Sequence, residues 1–299
     1  MTALRALLAG SIDYAGLFPP AGLAMSAAAA NYAAYREGEA AWALGRFVLP
    51  AARLSEFEKA AATLLPGRPA GEPWRLAALL GADPATDLRA IGEFNCHHAA
   101  VGGGAAAADV VEARAGDVKA VASLLGHMPE YLEVYVEVPV DRDPDPLVRA
   151  IAEHGGRAKI RTGGVTPDAF PSSANITRFI AACETTGVPF KATAGLHHPL
   201  RAVYPFTYAP DSPRGPMFGF LNVFLTAAFM SHGLDSTAAV LLLEESDPSS
   251  LRIAADAVEW RGRRLGADEI AAARVRTIVS FGSCSFTEPL GDLAALGLL

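Results

Sequence analysis

One rhythm constrains this chain more than any other feature. Short apolar stretches with strand character alternate with longer helical patterns, and the connections between them are short. Strand starts are read at Arg46, Trp74, Asp109, Tyr131, Arg157, Pro189 and Thr277, with one further strand expected within 235–264. Between them lie helical segments such as the one opened by Asp83-Pro84, with proline at its first turn, and the one ended by Gly187. Tyr131 to Val140 is the clearest strand, with Val134, Val136 and Val138 facing one way and Glu133, Tyr135 and Glu137 the other. Antiparallel folds do not give this rhythm, whereas βαβ units do. The reading is an α/β (β/α)₈ (TIM) barrel forming one domain over residues 1–299, with 1–44 as an N-terminal loop and helix extension and a small insertion near strand seven. An open doubly wound sheet is the runner-up, weakened because no GxGxxG follows the first strand.

Composition narrows the function classes. A net charge of −7 and the lack of a Lys/Arg run argue against nucleic-acid and anionic-membrane partners. Cys96, Cys183 and Cys284 form no CxxC pair and no disulfide framework, which fits a reducing cytoplasm. The apolar run from Met217 to Met230 contains Asn222 and Thr226 and is too short to span a bilayer. A cytoplasmic enzyme with a small anionic metabolite as partner is expected, and an N-terminal helix packing on a neighbour would make it a homodimer.

In a barrel of this kind the chemistry sits at the C-terminal ends of the strands. Those ends carry Glu112 and Arg114, then Glu137, then Lys159 and Arg161 followed by Gly163-Gly164, then Lys191 and Thr193 followed by His197, His198 and Arg201. The last strand runs into Gly282, Ser283, Cys284, Ser285 and Glu288. A lysine within an apolar strand is costly unless paired or at work. Lys191 beside Lys159 and Arg161 is expected to lose basicity and to attack a carbonyl as a neutral amine. Glu137 or Glu112 would shuttle protons, and His197 or His198 would serve as general acid or base. Lys159, Arg161, Gly163, Gly164, Thr193, Arg201, Gly282, Ser283, Cys284 and Ser285 are the substrate-binding candidates, Lys159 and Arg161 as an anion clamp with the glycine turns offering backbone N–H groups.

The two segments RAKIRTGG (157–164) and PFKATAGLHHPLR (189–201) resemble the lysine strands of class I aldolases of the deoxyribose-phosphate kind. That resemblance implies a Schiff-base lysine on strand six, tuned by a second lysine and an acid. In the family the second lysine follows the Schiff-base strand, whereas with Lys191 counted on strand six Lys159 precedes it. The C-terminal VSFGSCSFTEP looks like the signature of a bacterial family.

The leading expectation is therefore an aldolase-like lyase working through Lys191 without a cofactor. A metal-dependent lyase or hydrolase, with a divalent ion on His197, His198 and Glu137 and with Glu112 nearby, is carried beside it. A non-catalytic ligand-binding barrel is the third expectation. Asp13 and Tyr14, in the turn-rich stretch 11–20, read as an ordinary turn or a closure over the site. Tyr204, Phe206 and Tyr208 lie in a Pro-rich loop that reads as a lid or a dimer contact. Cys96-His97-His98 at a helix end favours the bland reading, histidines beside a helix C-terminus.

Overall fold

The strands close on themselves. A computed structural model describes residues 1–67, 72–100 and 105–299, and eight parallel strands form a closed barrel in it. Seven come in succession: β1 (Ile12–Tyr14), β2 (Leu44–Pro50), β3 (Trp74–Leu79), β4 (Ala106–Arg114), β5 (Glu133–Glu137), β6 (Arg157–Arg161) and β7 (Phe190–Thr193). A hairpin of β8 (Ala202–Pro205) and β9 (Arg214–Met217) follows, and then a small antiparallel sheet of β10 (Leu251–Ile253), β11 (Ala257–Trp260) and β12 (Arg263–Gly266). The last barrel strand is β13 (Ile278–Ser283). β1 closes the ring, with Asp13 opposite Gly282 and Tyr14 opposite Ser283 on one side and Phe47 on the other. The insertion near strand seven is thus the β8–β9 hairpin and the small sheet.

Strand alternation divides the molecule into two apolar regions. One face of each strand meets the surrounding helices, where the main core lies, including Val134, Val136, Ile160 and Ala192. The other face points into the barrel, where Val48, Ala77, Val110 and Tyr135 make a small apolar cluster. The rest of the interior is polar: Asp13, Glu112, Lys159, Lys191 and Ser280 are all buried. The helix Phe220–Met230 is apolar nearly all round and buried accordingly, with Phe220 and Phe224 packed on Phe281.

Two placements differ from the sequence reading and together move the strand count. Ile12–Tyr14 is the first barrel strand, not a turn within an N-terminal extension; three residues are too short a run to show a period. No barrel strand lies in 235–264 among the described residues. Ser236–Leu243 is a helix whose first turn is capped by the Asp235 side chain, as suits its Ala and Leu content, and β10–β12 stay outside the barrel. Lys159 therefore sits on the sixth barrel strand and Lys191 on the seventh.

Candidate active site

Adjacent parallel strands put Lys159 and Lys191 directly beside each other in register. Both side chains enter the barrel, and one carboxylate holds both. Glu112 Oε1 lies 2.6 Å from Lys191 Nζ and its Oε2 lies 2.8 Å from Lys159 Nζ. Lys191 Nζ also donates to Asp13 Oδ2 at 2.6 Å, and Ser280 Oγ donates to the same oxygen at 2.7 Å. The backbone N–H of Arg46 donates to Asp13 Oδ1, so that carboxylate is fixed from two sides. Lys159 Nζ lies 3.0 Å from Glu137 Oε2. That oxygen is buried and takes no aligned hydrogen bond among the described residues. Arg114 holds the other oxygen, Oε1, at 3.1 Å.

The electrostatics follow from these distances. Burial alone would raise the Glu112 carboxyl, but Lys191 and Lys159 outweigh it and lower it from 4.5 to about 2. Burial alone would lower Lys191, but Asp13 and Glu112 outweigh it and raise its ammonium above the ordinary lysine range. The expectation that Lys191 loses basicity is thus reversed. Its neighbours on the inside of the barrel are carboxylates, and Asp13, hidden in the strand read as a turn, supplies the second of them.

Above the lysines lies a cavity of about 240 Å³, lined by Lys159, Lys191, Arg161, Thr193, Gly164, Gly282, His197 and Cys284 with the apolar Phe18, Val48, Leu79 and Phe206. At about 30 Å³ per water it has room for a molecule of a few carbons. A neighbouring cavity of about 490 Å³ shares Glu112, Lys159 and Arg161 and adds Glu137 and Arg114. Lys159 faces both and Lys191 only the first, in keeping with side-chain exposures of 7% and 1%. Arg161 makes no ion pair among the described residues and is exposed beside these cavities.

The chain leaves β7 through two left-handed residues, Ala194 at φ 65° and Gly195 at φ 75°. Alanine rarely adopts that conformation, and here Thr162 Oγ holds the Ala194 carbonyl at 2.8 Å. A Cβ on Gly195 would press on Gly163 and Phe170, which explains glycine at both turns. This bend delivers His197 to the cavity wall. His197 Nδ1 lies 3.2 Å from Glu288 Oε2, 3.4 Å from Ser283 Oγ and 3.8 Å from Cys284 Sγ. Tyr208, from the β8–β9 loop, donates to Glu288 Oε2 at 2.9 Å and lies 3.5 Å from Cys284 Sγ. Burial opposes a charged His197, but Cys284 and Glu288 raise it to about 9. Burial opposes a charged Cys284, but His197 lowers it below the ordinary thiol range.

Other residues singled out in the sequence lie elsewhere. His198 turns away, its Nδ1 2.6 Å from Asp292 and its ring stacked on Tyr204 at 3.5 Å. Arg201 lies over Phe218 and 3.7 Å from Glu244. Ser285 Oγ accepts from the Glu288 backbone N–H at the start of helix Thr287–Ala295. His197, His198 and Glu137 do not converge on one point. Among the described residues, the three groups whose ligand atoms come together are Glu58, His97 and His98. Asp13, Ser280 and Tyr208 were missed as site residues. The turn-rich stretch around Asp13 and the Pro-rich loop around Tyr208 were the signals for those two, read as closure and lid and not as charge partners, and Ser280 had none.

No family model matches the chain, and no curated protein matches it. No described helix is long and apolar enough to cross a membrane.

Proposed function

We propose that the protein is a class I, Schiff-base carbon–carbon lyase acting on a small anionic carbonyl compound, with Lys159 as the nucleophile. The observation that carries this is the pair of lysines on strands six and seven, bridged by Glu112 and open to one cavity. Once β1 is counted, the order of the two lysines agrees with the aldolase resemblance, sixth strand first and seventh second. Exposure to both cavities also favours Lys159 over Lys191, which is enclosed by Asp13 and Glu112.

In this reading Lys159 gives a proton to Glu137 Oε2, the carboxylate oxygen beside it with no aligned donor. The neutral amine adds to the substrate carbonyl carbon. Glu137 returns the proton to the carbinolamine oxygen, which leaves as water and yields the iminium. Carbon–carbon cleavage then sends the bonding electrons toward the iminium nitrogen, and the departing carbon becomes an aldehyde as its hydroxyl gives its proton to Glu137. That proton passes to the enamine carbon, and water hydrolyses the resulting iminium to release the second product and free Lys159. Lys191 stays an ammonium throughout and keeps Glu112 ionised. Arg161, with no internal partner among the described residues, receives the substrate anion.

The test is turnover of a panel of short hydroxy-keto acids and sugar phosphates, coupled to detection of the aldehyde released. Lys159→Met should lower kcat by at least about a thousandfold. Glu137→Gln should lower it by about a hundredfold, as expected for loss of a general acid–base. A Lys159→Met variant that turns over a substrate normally would overturn the assignment.

A further inference from the structure

The lysine chemistry uses one side of the cavity. The other side carries a second set of reactive groups, which the proposed cleavage does not employ. Cys284 lies one residue beyond β13, lines the cavity and is 5% exposed. Two structural elements bring polar side chains to its sulfur, and a third stands behind them. The turn after β7 supplies His197, with Nδ1 3.8 Å and Nε2 4.0 Å from Sγ, the β8–β9 loop supplies the Tyr208 hydroxyl at 3.5 Å, and helix Thr287–Ala295 supplies Glu288 against both. Tyr14 and His198 are the next titratable groups, acting on Cys284 and Glu288 respectively. A cysteine kept only for packing has no need of a histidine anchored by a carboxylate beside it, whereas a thiolate does. Glu288 Oε2 accepts from the Tyr208 hydroxyl and lies 3.2 Å from His197 Nδ1, an ion pair that holds the imidazole beside the sulfur.

We propose that Cys284 is a nucleophilic thiolate that binds a small aldehyde covalently and reversibly as a thiohemiacetal. Sγ bonds to the aldehyde carbon as the C=O π bond opens, and the new alkoxide takes the proton of the His197 imidazolium. Release is the reverse, with the proton returning to His197. No electrons leave the system and no co-reactant is needed. The site stands on its own geometry; the choice of an aldehyde as its ligand rests on the lyase reading, because carbon–carbon cleavage at the lysines would deliver an aldehyde into the same cavity.

The experiment is iodoacetamide alkylation of the full-length protein at pH 6.5, followed by peptide mass spectrometry with and without glycolaldehyde. An ordinary thiol is only about 1% thiolate at that pH, and Cys96, which is exposed, serves as the internal reference. Cys284 should react at least about tenfold faster than Cys96, and glycolaldehyde should protect it. The protection should persist in Lys159→Met. His197→Gln or, should that variant fold poorly, Glu288→Gln should reduce the excess reactivity. Cys284 no faster than Cys96, or no protection by the aldehyde, would overturn the proposal. Protection lost in Lys159→Met would overturn it too, since the aldehyde would then be blocking access as a lysine adduct. Protection kept in Lys159→Met while the lyase assay fails would leave the thiolate site standing without the lyase reading.

Discussion

Replacing Lys191 by methionine removes the ammonium and keeps most of the side-chain volume. Asp13 then loses its one ion-pair partner among the described residues, and Glu112 keeps only Lys159 of its two lysines. Lys191 and Asp13 are each 1% exposed and Glu112 is 3% exposed, so solvent cannot take over the charge. Breaking a buried pair by removing one partner costs about 3–5 kcal/mol. The drop of the Glu112 carboxyl from 4.5 to about 2 corresponds to about 3 kcal/mol of folding stability, shared between Lys191 and Lys159. In a chain of this length the loss should lower Tm by roughly 5–8 °C at pH 7.5.

The pH dependence sharpens the test. A carboxyl lowered by folding stabilises the protein above its ordinary value, and that contribution fades as pH falls from 4.5 toward about 2. Lys191, raised by folding, contributes fully below the ordinary lysine value and loses that contribution only at more alkaline pH. In Lys191→Met the Glu112 carboxyl, held by Lys159 alone, can take up a proton in milder acid, so the gap between variant and wild type should narrow from pH 7.5 to pH 5. Circular-dichroism melts at the two pH values measure this. A loss below about 1 kcal/mol, or a gap independent of pH, would refute the account of the buried network.

Two further outcomes are expected. His197, raised from 6.5 to about 9, should titrate near 9 in an NMR experiment and fall toward its ordinary value in Glu288→Gln; titration near 6.5 in the wild type would contradict the cluster. The stability it contributes is full below 6.5 and is lost as pH rises through about 9. Arg161→Leu should weaken binding of an anionic ligand by about tenfold while leaving stability within about 0.5 kcal/mol, because no ion pair among the described residues is lost.

The barrel was legible because its signals are local and repeated. Strand periods, glycine stops such as Gly187 and the Asp83-Pro84 helix start each act within a few residues. The lysine pair was legible for the same reason, since charge inside an apolar strand is expensive wherever it occurs. Asp13 was not, because Ile12–Tyr14 is too short for a period and its partner Lys191 lies 178 residues away. Missing that strand shifted the count by one, so Lys159 and Lys191, expected on strands five and six, stand on strands six and seven. The direction of the Lys191 shift was lost with it, since the expected neighbours were cations and the actual ones are Asp13 and Glu112. His197 and His198 show the same limit. Adjacent in sequence, they separate in space to Glu288 and Asp292, and only the bend at Ala194-Gly195 decides which one reaches the cavity.

The most direct measurement of the central claim is borohydride trapping with a short aldehyde or keto acid, followed by peptide mapping of the reduced adduct. A stable secondary amine on Lys159, absent from Lys159→Met and still formed on Lys159 in folded Lys191→Met, is the expected result. No adduct at any barrel lysine, or an adduct on Lys191 in the wild-type protein, would contradict it.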